Sequence, residues 1–123
     1  MKKLFLLILL VLLLSIPADA GEETELTRIR CTCYLPTGNP TYSGVYPYEG
    51  IVAANKEHLG QVAMIYTESL EFIGCFECKD IGGHRGLKNG TRIDIFRDNS
   101  QSAKEWTRYY GDYVYIKWID GKG

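Results

Sequence analysis

The sequence predicts a small, mainly β domain in which six short strands close on themselves, with one short helix before the last strand. Three observations lead there. Apolar and polar residues alternate at a two-residue period in several short stretches. Gly, Pro, Asn and Ser separate those stretches. A single stretch near the C-terminus carries both the start and the stop signals of a real helix. Six short strands with one helix fit a closed β structure better than a two-sheet sandwich.

Residues 1–20 read as a secretory signal peptide. Lys2 and Lys3 precede the apolar run Leu4 to Leu14, and Ala18-Asp19-Ala20 supplies a small-residue cleavage site before Gly21. The run falls short of the about 20 apolar residues that a membrane-crossing helix needs. A secreted or wall-associated protein with no stable membrane span after cleavage is therefore expected. Residues 21–27 form a short polar leader, and residues 28–123 form the domain, expected as a monomer.

Thr27 to Tyr34 alternates as the first strand. Residues 35–50 hold three prolines and three glycines and form a long irregular loop; loops of that length in compact domains are usually functional or disordered, and Tyr42, Tyr46 and Tyr48 argue for the former. Ile51 to Ala54 is a short strand, and Asn55 to Gly60 one helical turn closed by glycine. Gln61 to Tyr66 and Leu70 to Lys79 make a hairpin across Thr67-Glu68-Ser69. Asn89-Gly90 signals a type I′ turn into the strand Thr91 to Phe96. Ser102-Ala-Lys-Glu105 has the form of a capping box for a helix that ends at Gly111. Asp112 to Ile119 is the last strand.

Fourteen basic against 15 acidic side chains, with no charge block, give a net charge of −1. That balance does not support nucleic-acid binding, which requires clustered Lys and Arg on phosphates. Nine Tyr, two Trp and four Phe are plentiful for the length; in loops, such side chains suit uncharged rings such as sugars, and in strands they serve packing. Cys31, Cys33, Cys75 and Cys78 fall in the exported part, where disulfides are favoured over zinc. Cys31 and Cys33 share one strand face and are poorly placed to bond each other, which leaves a bridge from Cys33 or Cys31 to Cys78. Neither a metal nor another cofactor is expected.

Two aspartates stand out, Asp80 and Asp94, separated by the glycine-rich segment that begins Gly82-Gly83. Ile93, Ile95 and Arg97 share one face of their strand, and Arg92, Asp94 and Phe96 share the other. A strand with apolar residues on both faces is expected to be covered on both, where a carboxylate is costly unless it is used or bonded. Two solvated aspartates at strand ends are the plainer reading.

Thr32-Cys33-Tyr34, Thr41-Tyr42-Ser43-Gly44, Gly50-Ile51-Val52-Ala53, Asp80-Ile81-Gly82-Gly83 and Asn89-Gly90-Thr91-Arg92-Ile93-Asp94-Ile95-Phe96 together resemble, in order, the segments of the 3D-domain family. That family includes membrane-bound lytic transglycosylases and stationary-phase survival proteins. The resemblance implies a six-stranded double-psi β-barrel, Asp94 as catalytic acid and base with Asp80 beside it, and peptidoglycan glycan strands as partner. Tyr34, Tyr42, Ser43, Tyr46, Gly82, Gly83 and Asn55 are the candidates for substrate binding, and Cys33 with Cys78 the candidate disulfide. Two departures stand out: Asn55 occupies the place of the family's first aspartate, and the segment between Asp80 and Asp94 is longer than in the commonest members. His84 is expected to be a surface loop residue and His58 a structural one. A glycan-binding module without chemistry, and an exported zinc-binding protein, are the alternatives.

Overall fold

The computed structural model describes residues 25–121. The expected signal peptide, its cleavage site and most of the polar leader lie outside the described residues. Six strands close into a barrel: β1 (Thr27–Tyr34), β2 (Ile51–Ala54), β3 (Gln61–Tyr66), β4 (Phe72–Ile81), β5 (Arg92–Phe96) and β6 (Tyr113–Asp120). Two helices, α1 (Arg85–Lys88) and α2 (Ser100–Tyr110), and a 3-10 turn (Lys56–His58) complete the order. The mainly β, six-stranded closed architecture with a helix before the last strand is the one expected.

Around the barrel the order is β1-β5-β2-β4-β3-β6, closing back on β1. β1 with β5 and β2 with β4 run parallel; the other four neighbours are antiparallel. Closure leaves no free edge for another chain to pair with. Alternation fills the inside with Ile29 and Cys31 from β1, Val52 and Ala54 from β2, Ala63 and Ile65 from β3, Ile93 and Ile95 from β5, and Val114 and Ile116 from β6. α2 adds Trp106, whose ring meets Phe76 edge-on at 5.7 Å and Tyr110 at 4.6 Å. The expectation that β5 is covered on both faces holds, because Asp94 and Phe96 on its outer side are buried as well.

Two local readings are corrected, and one strand carries a bulge. Asn89-Gly90 is no hairpin turn: Asn89, at φ −95°, ends α1, and Gly90 takes the left-handed conformation that follows it. The N-cap of α2 is Asn99, whose Oδ1 accepts from the Ser102 amide at 2.8 Å, so Ser102 lies inside the helix and is free for other bonds. In β4, Val52 is paired with Cys78 and Ala53 with Asp80, a register step that skips Lys79. This bulge sends Cys78 inward and Asp80 outward, where strict alternation puts them on one face.

No disulfide forms. All four cysteines are free thiols, with Cys31 and Cys78 buried and Cys75 exposed. Burial pushes the thiol of Cys31 up to about 12 and that of Cys78 up to about 11. Cys33 is also raised, first by burial, and its sulfur faces the Ala103 carbonyl of α2 at 3.9 Å, with no sulfur from β4 as its partner. Among the described residues, no three His, Cys, Asp or Glu side chains converge as metal ligands.

Candidate functional site

The site lies on the outer side of the barrel and is assembled by strand register. Thr32 is paired with Asp94, Asp94 with Ala53, and Ala53 with Asp80, so one row crosses β1, β5, β2 and β4. Paired residues share a face, and all four side chains therefore project the same way. The two aspartates straddle Ala53, roughly 10 Å apart at the backbone across two strand spacings. Only the Ala53 methyl, itself buried, stands between them.

Asp94 is 8% exposed and fully engaged. Thr32 Oγ1 donates to its Oδ1. Arg92, two residues earlier on the same face, spreads its guanidinium over the carboxylate, with Nε to Oδ1 at 3.0 Å and Nη2 to Oδ2 at 3.3 Å. That two-toothed geometry is the strongest that a carboxylate receives from a side chain. Gly86 of α1 packs on the Arg92 stem: a Cβ at Gly86 would stand 2.9 Å from the Arg92 Cβ.

Asp80 is held differently. Its Oδ1 accepts from the amides of Tyr42 at 3.0 Å and Ile81 at 2.9 Å, and its Oδ2 from the Tyr34 hydroxyl at 3.3 Å. Burial, then the charge of Asp80 and the bond to it, push the Tyr34 phenol well above its ordinary range; Asp94 adds to the effect. Tyr34 thus bonds Asp80 and feels the charge of Asp94, and its ring meets Phe96 edge-on at 5.3 Å.

Residues 35–50 cross this face as an ordered strap. The Ser43 amide donates to the Lys79 carbonyl at 3.2 Å, and Thr41 is buried with its hydroxyl on the Val45 carbonyl at 2.8 Å. At the far end, Glu49 Oε2 accepts from the Asp98 amide and the Ser102 hydroxyl, both at 3.0 Å, and its Oε1 meets Arg97 at 3.5 Å. Tyr42, Tyr46 and Tyr48 keep their rings largely exposed, Tyr46 at 67%. No protein-family model, characterised protein or solved structure matches the chain.

The remaining candidates have local duties. Asn55 caps the 3-10 turn, with Oδ1 accepting from the Glu57 amide at 2.9 Å, while its Nδ2 donates to the Lys88 carbonyl. Gly82 makes room for Leu87, whose Cδ1 would lie 2.1 Å from a Cβ there; Gly83 faces open space. His84 caps α1 by accepting from the Gly86 amide at 3.0 Å. His58 stacks on Trp118, with centroids 4.1 Å apart and planes 7° from parallel. Arg92 and Thr32 were not singled out by sequence reasoning. The two-residue period that puts Arg92 on the face of Asp94 was the available signal.

Proposed function

We propose that the protein is an exported cell-wall enzyme of the 3D-domain type, a lytic transglycosylase that cleaves the N-acetylmuramic acid to N-acetylglucosamine bond of peptidoglycan. The observation that carries the reading is the row Thr32, Asp94, Ala53, Asp80, which sets two bonded carboxylates on either side of a methyl beneath an aromatic strap. The two parallel strand pairs in the closed barrel are compatible with the double-psi topology that the resemblance implies.

In this reaction, the bond from the muramyl C1 to the leaving oxygen breaks, and the substrate's own C6 hydroxyl closes a 1,6-anhydro ring on C1. No water is activated and no carboxylate attacks, unlike the usual paired-carboxylate glycosidases. Asp94 gives its proton to the leaving oxygen and then takes one from the C6 hydroxyl, which restores the starting state. The Arg92 guanidinium occupies both oxygens of Asp94, so a leaving oxygen has to take its place there. Asp80, steadied by Tyr34 and the Tyr42 amide, holds the strap and supplies negative charge as the oxocarbenium-like centre develops.

A glycan-binding module without chemistry is the second reading. Asn55 favours it, because the amide that stands at the family's first aspartate is committed to Glu57 and Lys88. Digestion of purified peptidoglycan with residues 21–123, followed by mass analysis for 1,6-anhydro-muropeptides, separates the two. Product supports the enzyme; binding without product supports the module.

A further inference from the structure

Beside the aspartate row, the chain ends of the parallel strands β2 and β4 leave a cavity of about 210 Å3, lined by Ala54, Asn55, Lys56, Ile81, Gly82 and Lys88. Its charged lining is two lysines and no acid. Neither lysine has an ion-pair partner among the described residues; the lysine that does have one, Lys79, is bonded to Glu77 at 3.4 Å outside this cavity. The Lys88 carbonyl would turn a partial negative charge toward the lysines, but the Asn55 amide covers it. Lys56 is placed by the strap, its ammonium 5.4 Å from the centre of the Tyr42 ring, and the amide of that same tyrosine is bonded to Asp80. The cavity and the carboxylate row are thus joined through one residue.

We infer that this cavity is an anion subsite that takes the carboxylate of an acidic sugar. The inference deepens the proposed function and rests on it for the identity of the sugar, the lactyl carboxylate of muramic acid being the anion on such a glycan. Two lysines line one small space with no acid beside them, and Lys presents a point charge suited to a carboxylate without fixed orientation. Asn at position 55 is what this subsite requires. An aspartate there could not donate to the Lys88 carbonyl and would itself neutralise the lysines.

The test uses two disaccharides of the same size. N-acetylglucosaminyl-N-acetylmuramic acid carries the carboxylate, and N,N′-diacetylchitobiose lacks it. Titration of residues 21–123 followed by amide chemical shifts is expected to show at least about tenfold tighter binding of the acidic sugar, with shifts at Asn55, Lys56, Gly82 and Lys88. The exposed pair Lys56→Gln with Lys88→Gln is expected to lower that affinity to the chitobiose level and leave chitobiose binding unchanged, and Asn55→Asp is expected to reduce the preference for the acidic sugar. Equal binding of the two sugars to wild type, or a preference that survives loss of both lysines, overturns the subsite. Preference for the acidic sugar without anhydro product leaves the subsite standing and removes the catalytic reading. Anhydro product without the preference does the reverse.

Discussion

Asp80 and Asp94 flank one of the smallest side chains a strand can offer, and each is satisfied by a different chemistry: backbone amides and a phenol for one, a guanidinium for the other. The bonding explains how two carboxylates persist on a covered face. Gly82 is as constrained as either. Gly82→Ala would place a methyl in the space of Leu87 Cδ1, and overpacking of this kind is expected to cost roughly 1–3 kcal/mol in denaturant unfolding. The thiols make a second residue-scale prediction. Cys75 alone is exposed, so alkylation of the native protein by iodoacetamide should label Cys75 first, with Cys31 and Cys78 labelled only on unfolding. The sequence showed the aspartates and, through the two-residue period, the Arg92 that shares the Asp94 face, but not Thr32, which meets Asp94 through the β1–β5 pairing that no local pattern encodes.

At the scale of elements, the strap of residues 35–50 depends on its two anchors. The Asp98 amide holds the Glu49 carboxyl below its ordinary 4.5, Ser102 and Arg97 add to this, and burial opposes it. A depressed acid stabilises the fold above its unfolded value and loses that contribution as pH falls through the folded one. Stability should therefore decline as pH drops below 4.5; Glu49→Gln should flatten that limb, and Glu49→Ala should also remove hydrogen-exchange protection from the Asp98 amide. Unchanged protection in the alanine variant would show that the strap does not need this anchor. Strand positions were legible because alternation marks them. The Lys79 bulge was hidden because an inserted residue breaks the period it interrupts. The start of α2 moved by three residues because Asn99 and Ser102 are both competent caps, and only Asn99 had the extended backbone that capping needs.

For the whole molecule, closure of the barrel was legible from six short strands and one helix, whereas its order around the axis was not, since parallel pairing of β1 with β5 joins residues 62 positions apart. One end of the core depends on α2. Trp106 is 5% exposed, with Phe76, Tyr110 and Arg97 around it. Trp106→Ala is expected to cost roughly 3–5 kcal/mol in thermal or denaturant unfolding, a loss shared by the entire barrel because the closed sheet unfolds as one unit.

The central claim is that Asp94 performs proton transfer in glycan cleavage. It is tested most directly by incubating wild type and Asp94→Asn with purified peptidoglycan, quantifying 1,6-anhydro-muropeptides by mass spectrometry, and matching the two proteins by unfolding midpoint. The account predicts abundant anhydro product from wild type and a loss of about 10²-fold or more in the variant, the scale of a missing general acid and base. Equal product from both, or none from wild type, would contradict it.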